Sequence, residues 1–321
     1  MAEDNPVPRF RIPLAALVAD KPPVATVLAS APAGTLAQVL DDAGSSFAAV
    51  VDSNGHYIDG VSVFDLLARA REGRHRVAEA LVDEDTHNAQ LAATFAAASV
   101  DELVGSYSIS GENAEYRISS ATLLRATLHL FAAGLHYLLV VAPKYMIRDE
   151  ASGELPPLPA REARLLEKKD VLAWARAHLT QLASDEQLDA DIVTASLFYA
   201  NVPKVLAETS AGDAIEELYN AKTDGVAIVS PEGFLLGNFS VSDAKVVTAA
   251  NFKVLSLPIL DFLELHGRLR EPVFVSKTTS LRAALELFST HVVSRLWVVD
   301  DATRVVGVCS MASLMSLFFR L

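Results

Sequence analysis

Three aspartates and two cationic side chains stand where their types and spacing could do chemistry. Asp65 follows Ser62 by three residues, and Asp243 follows Ser240 by three. A serine followed at that distance by an acid, ahead of a helical pattern, is a capping box. The hydroxyl accepts from a backbone N–H of the first turn, and the acid reaches back to the serine N–H. An acid there also faces the positive end of the helix dipole, worth a few tenths to about 1 kcal/mol. The same carboxylate could instead accept hydrogen bonds from a bound ligand, so both uses stay open for Asp65 and Asp243. Asp170 holds the equivalent place with Glu167 ahead of it in place of serine and Lys168 and Lys169 beside it. It reads as a weaker cap or a solvated surface charge. His136 follows a helix-ending Gly134 and opens an apolar run, where a partly buried, hydrogen-bonded histidine is the default. Arg295, just ahead of LWVVD, must either snorkel to water or find an anion.

These residues recur because the elements that carry them recur. Asp52, Ser230 and Asp300 each end a β-branched run, and Asp65, Asp243 and Ser313 each follow thirteen residues later. Ser62, Ser240 and Ser310 precede those by three residues. Between the anchors GHYIDGVSVFDLL, GFLLGNFSVSDAKVV and TRVVGVCSMASLM each spell turn, strand, serine and helix. Upstream, TLAQVLDDAG, DAIEELYNAK and SLRAALELFSTH supply a helix. A fourth, less regular copy has its helix and first strand in 118–141 and its return strand and helix in 163–179. The Pro- and charge-containing stretch between them reads as a long surface loop. The spans Leu36–Asp52 and Ile215–Ser230 are about a turn shorter than Leu123–Ala142 and Leu281–Asp300. Short-long-short-long suggests duplication of a two-copy unit, hence two modules of two repeats. One unit cannot bury its sheet face, so copies must pack in pairs.

The pattern resembles the cystathionine β-synthase (CBS) domain. Four copies in two tandem pairs, or Bateman modules, are similar to the γ subunit family of AMP-activated protein kinase. The resemblance rests on YIDGVSVFDLL, AGLHYLLVV, FYANVPKVL and VSRLWVVDDATRVVGVCSMASLM. It implies an α/β fold of four CBS repeats paired into two Bateman modules that form a pseudo-symmetric disc. The insertion in copy two is more similar to plant and fungal members. The implied organisation is a tail and lead-in at 1–22, repeat one at 23–72, and a helical connector at 73–115. Repeat two follows at 116–180 with a loop at 142–162, then an inter-module linker at 181–202. Repeat three at 203–250, a connector at 251–271 and repeat four at 272–321 complete the chain. In that family adenine nucleotides bind between repeats. The resemblance assigns ribose contacts to Asp65, Asp243 and Asp170, supported by Ser62, Ser240 and Ser310, and phosphate contacts to His136 and Arg295. The chain departs from the family at Phe47, Tyr137, Gly225 and Ser294, which leaves the cationic set thin.

Function follows the same way. HExxH, GxSxG, metal-spaced Cys/His clusters and Walker-type loops are missing from the sequence, so binding is expected rather than catalysis, with no metal. The resemblance implies a non-catalytic regulatory subunit responding to AMP, ADP or ATP, with protein kinase catalytic and scaffold subunits as partners. The alternative is a ligand-independent scaffold or inhibitor-type protein, as in phosphatase or cell-cycle control. A homodimer is a further expectation. The formal charge of −13 argues against nucleic acid. Neither a signal-type N-terminus nor an apolar run long enough for a membrane is evident, and the single cysteine, Cys309, fits a reducing compartment, cytoplasm or nucleus. Cys309, Trp174 and Trp297 read as core residues. The acidic runs 83–87 and 184–191 read as solvated faces, and the helical stretch 75–98 as a connector. Because Ser313 lacks a carboxylate, the Asp65 and Asp243 sites are expected to suit a nucleotide better than the Ser313 site.

Overall fold

The computed structural model describes residues 10–78, 93, 98–104, 117–247 and 252–321. The run 83–87 and most of the connector helix expected over 75–98 lie outside them.

Each copy is a three-stranded sheet with its strands in chain order. The strands are β1 (Thr26–Leu28), β2 (Phe47–Val51) and β3 (Tyr57–Ser62); β4 (Arg117–Ser119), β5 (Tyr137–Val141) and β6 (Arg164–Glu167). They continue as β7 (Lys204–Leu206), β8 (Gly225–Val229) and β9 (Leu235–Ser240); β10 (Phe274–Val275), β11 (Arg295–Val299) and β12 (Val305–Ser310). The first two strands of each sheet are parallel. A parallel pair needs a crossover. The helices Ala33–Asp42 (α2), Leu128–Ala132 (α4), Ala211–Asn220 (α8) and Leu281–His291 (α10) provide it. The middle strands are buried along almost their whole length, which is why they read as unbroken apolar runs.

The repeated anchor residue makes the hairpin turn. Asp52 Oδ1 accepts from the backbone N–H of Asn54 (2.8 Å) and His56 (2.9 Å). Asp300 Oδ1 accepts from Ala302 and Arg304, both at 2.9 Å. Ser230 Oγ does the same for Glu232 (3.2 Å) and Phe234 (3.3 Å). The turn closes through a left-handed residue: Gly55 (φ 77°), Gly233 (φ 89°) and Thr303 (φ 63°). A β-branched residue is strained in that conformation, so copy four holds its turn at some cost. Copy two has no such turn. Its 142–163 connection contains 3-10 turns at Pro143–Met146 and Ala160–Glu162, and it is not purely a surface loop, because Leu158 and Tyr145 are buried.

After each hairpin comes a second helical element: α3 (Val63–Ala78), α5 (Lys168–Ala177), a 3-10 turn at Asp243–Val246 and α11 (Met311–Arg320). The α-helix expected in copy three is therefore only a 3-10 turn over the described residues. Packing then groups the copies into two compact units. One contains copies one and three (residues 24–115 and 203–272); the other contains copies two and four with the lead-in (1–23, 116–202 and 273–321). The short copies share one unit and the long copies share the other. Within the long unit α4 packs on α11 and α5 packs on α10, so each first helix meets the other copy's second element. In the short unit α3 meets α8, and α2 meets the Asp243–Val246 turn. Two like copies exchanging the same faces form a pseudo-isologous contact. The grouping by helix packing thus joins alternate copies.

Segments expected to be tails and linkers are built into these cores. Phe10 is fully buried, with its ring 5.4 Å from Trp174 and 5.3 Å from Phe318. The lead-in helix Leu14–Val18 (α1) starts where Leu14 N–H donates to the Thr122 carbonyl at 2.8 Å. The acidic run 184–191 is more than a solvated face: Asp185 and Asp189 hold Arg282 of α10 at 2.7 and 3.1 Å. Beyond it Tyr199 pairs with Val308 of β12 through two backbone bonds, 3.0 and 2.9 Å. The neighbouring Phe198 ring lies over Gly307, where an added Cβ would sit 2.1 Å from that ring and 2.8 Å from the Tyr199 carbonyl oxygen. We predict that Gly307→Ala costs roughly 1–3 kcal/mol. Gly34→Ala on α2, with nothing within 4 Å, is expected to be neutral or stabilising by up to about 1 kcal/mol. The urea midpoints of the two variants measure this contrast.

Candidate functional site

The register fixes what surrounds each cap. The first residue of each middle strand pairs with the last residue of the return strand: Phe47 with Ser62, Tyr137 with Glu167, Gly225 with Ser240 and Arg295 with Ser310. The strand-start side chain therefore stands beside the helix start in every copy. His136 falls one residue ahead of this pairing, and Tyr137 takes the paired position.

All four helix starts are closed by the same bond. Ser62 N–H donates to Asp65 Oδ2 (2.8 Å), Glu167 to Asp170 Oδ2 (2.8 Å), Ser240 to Asp243 Oδ2 (2.9 Å) and Ser310 to Ser313 Oγ (3.0 Å). The Ser62 and Ser240 hydroxyls donate to the same carboxylate oxygens at 2.7 and 2.5 Å. Asp65 and Asp243 are buried, 4% and 5% exposed. Asp65 lies in the first turn of α3, whereas Asp243 itself opens a 3-10 turn with Ser242 as its N-cap, so only half of the expected capping box forms there. Asp243 nonetheless titrates above the ordinary carboxylate range. Burial outweighs the two Ser240 hydrogen bonds and the fields of Arg270 and Arg268. Two expectations for Asp170 need correction. It makes a complete capping box with Glu167. It is also paired rather than solvated, because Lys21 Nζ of the lead-in lies 2.5 Å from its Oδ2. Lys169 is held by Glu167 at 2.7 Å.

Copies two and four bring the cations together. Burial, then the charges of Lys168 and Arg295, push the His136 imidazole down to about 3. Burial and Arg295 push the Lys168 ammonium down to about 8, and burial alone pushes Arg295 down to about 9. Lys168 makes no hydrogen bond or ion pair among the described residues. Arg295 is 6% exposed, and its guanidinium lies 5.6 Å from the Trp297 ring centroid. It neither snorkels nor reaches bulk water. The resemblance assigns phosphate contacts to His136 and Arg295, whereas the sequence marks Lys168 only as a neighbour of Asp170. The available signal was its place at the first position of a helix, where a positive charge opposes the dipole. Two like charges, Lys168 and Arg295, beside a neutral imidazole in a poorly solvated place are relieved by an anion.

The sequence-predicted residues thus divide. Asp65 and Asp243, with Ser62 and Ser240, belong to one unit; His136, Asp170 and Arg295, with Ser310, belong to the other. In the first unit the strand starts are uncharged, and the Phe47 ring fills the hollow over Gly60, 2.4 Å from where a Cβ would stand. Among the described residues no group of three or more His, Cys, Asp or Glu could hold a metal ion. No described helix is long and apolar enough to cross a membrane. Burial pushes the Cys309 thiol up to about 12, so the thiolate is suppressed.

Comparison with known proteins places this geometry in the CBS class. A CBS domain family model matches residues 268–320, the fourth copy. The four-sheet architecture is that of CBS repeats in a Bateman arrangement. Among solved structures, a Methanocaldococcus jannaschii protein proposed as an archaeal homologue of the AMPK γ subunit is similar over 96% of this chain and 100% of its own. The identity is 14% and the TM-score 0.68. A conserved protein from Pyrococcus horikoshii is similar over 96% and 100%, at 12% identity and a TM-score of 0.53. A CBS domain protein from Pyrobaculum aerophilum, complexed with AMP, covers 38% of this chain and 88% of its own at 18% identity and a TM-score of 0.32. A search of curated protein sequences found no match.

The electrostatics give two tests in the absence of ligand. The unfolded chain takes up the His136 proton near pH 6.5, the folded chain only near 3. Stability contributed by this group therefore falls as pH drops from about 6.5 toward 3, and His136→Gln should flatten that limb of a pH–Tm series. Lys168 is charged at neutral pH against a folded-state pKa of about 8. Lys168→Gln should stabilise the ligand-free protein at pH 7 by on the order of 1 kcal/mol, the shift being discounted for partial solvent access.

Proposed function

We propose that this is a non-catalytic regulatory protein that binds adenine nucleotides through its CBS repeats, with AMP, ADP and ATP as competing ligands. The observation that carries the reading is the convergence of Lys168, His136 and Arg295, with Lys168 left without a hydrogen bond or ion pair among the described residues. Phosphate oxygens supply the charge and acceptors that this place lacks. Occupancy would favour one arrangement of the repeats over another, by no more than the ligand's differential affinity for the two. A partner would then read that arrangement. The four-repeat likeness to the proposed AMPK γ homologue supports an energy-sensing Ser/Thr kinase, through its catalytic and scaffold subunits, as that partner in cytoplasm or nucleus. The long 142–163 connection supports the plant- and fungal-type variant of such a subunit.

A specific observation favours a second reading, a ligand-independent scaffold. Lys21 occupies Asp170, and Phe47 and Phe198 fill the hollows over Gly60 and Gly307. Several places where a ligand could sit are therefore occupied by the chain itself.

Calorimetric titration separates the two. The nucleotide reading expects AMP or ATP to bind and raise Tm. Lys168→Gln should weaken AMP roughly 10- to 100-fold, the worth of a hydrogen bond to a charged group. Absence of binding and of any Tm shift with AMP, ADP, ATP and adenosine would leave the scaffold.

A further inference from the structure

Around the start of α5 stand four charged residues in sequence, Glu167, Lys168, Lys169 and Asp170. Lys168 pairs with neither carboxylate among the described residues, because both are engaged by other cations. Glu167 Oε2 holds Lys169 Nζ at 2.7 Å. Asp170 Oδ2 holds Lys21 Nζ at 2.5 Å while also accepting the Glu167 N–H at 2.8 Å. Lys21 Nζ lies 3.7 Å from Glu167 Oε2 as well, so this one ammonium reaches both carboxylates.

The lead-in delivers Lys21 from far away in the chain. The N–H groups of Leu124 and Arg125 donate to the Ile12 and Phe10 carbonyls at 2.8 and 2.9 Å. Those of Leu14 and Ala15 donate to the Thr122 and Ser120 carbonyls at 2.8 and 2.9 Å. Phe10, Leu14 and Val18 are buried, and the Lys21 N–H closes on the Val18 carbonyl at 3.2 Å. With Lys21 in place two cations match the two carboxylates, and Lys168 and Arg295 remain as unmatched positive charge. Without it Glu167 and Asp170 face Lys169 alone, and the surplus negative charge falls on Lys168 between them in the sequence. A carboxylate on Lys168 competes with a ligand anion for the same donors.

Resting on the nucleotide reading above, we propose that Lys21 is a positioning residue: by holding Asp170 and Glu167 it keeps both carboxylates off Lys168 and so keeps that ammonium open to an anion. Docking of the lead-in and binding of the anion then reinforce each other, and by linkage the anion steadies the lead-in in return.

The test uses the full chain with AMP and adenosine as probes, and compares the wild type with Lys21→Gln and Lys21→Arg. NMR of the labelled Lys168 side chain in the ligand-free protein should give a value of about 8 in the wild type. Lys21→Gln should raise that value toward the ordinary lysine range as a carboxylate is released to it, whereas Lys21→Arg should not. Lys21→Gln should weaken AMP roughly 3- to 10-fold, the worth of one partly exposed ion pair, and leave adenosine unchanged. Lys21→Arg should restore AMP affinity, which separates charge from any loss of folding. AMP should also slow hydrogen exchange over residues 10–21 in the wild type and less so in Lys21→Gln. AMP affinity that is unchanged or tighter in Lys21→Gln overturns the inference and leaves the nucleotide reading standing. So does a Lys168 titration that Lys21→Gln does not move. Absence of AMP binding to the wild type removes both.

Discussion

One hydrogen bond closes every copy: the backbone N–H at the end of the return strand donates to the side chain three residues further on. It occurs at Ser62, Glu167, Ser240 and Ser310, with distances of 2.8–3.0 Å. A helix start has N–H groups with no intrahelical partner, and a strand end has one as well. The bond satisfies the strand-end N–H where the chain changes direction, and in copies two and four the reciprocal bond satisfies a helix-start N–H as well. It also ties the helix start to the first residue of the middle strand, because the capped residue is that residue's register partner. The anchor turn sets the hairpin and the cap sets the helix, and the helices then pack like copies together.

The cap explains why the side chains around it vary among copies while the fold does not. Either a carboxylate or a hydroxyl can accept that bond, so Ser313 folds copy four as well as Asp65 folds copy one. What differs is what remains. Asp243 and Asp170 both spend Oδ2 on the cap, and Asp170 gives the same oxygen to Lys21 as well. The strand-start position, free of any capping duty, carries Phe47, Tyr137, Gly225 or Arg295. The burial-shifted cations fall in the unit of copies two and four.

Legibility in the sequence followed the range of the interactions. The anchors, turns and caps are contacts within four residues, so their spacing appeared directly as a repeat. The short-long alternation was visible too, but its consequence, packing between alternate copies, depends on contacts far apart in the chain. Copy two was read least well because its 142–163 connection buries Leu158 and Tyr145, which no local pattern announces. Lys168 was missed for a related reason: its significance comes from Arg295 in another copy, and Asp170 was misjudged because its partner Lys21 lies in the lead-in.

The most direct measurement is the titration of the His136 ring by NMR, with and without saturating AMP. The account requires the imidazole to be neutral in the free protein, with a pKa of about 3 set by burial, Lys168 and Arg295. Bound phosphate must then raise that value by offsetting the two neighbouring charges. A ring that titrates near 6.5 when free, or whose value does not move when AMP is bound, would contradict it.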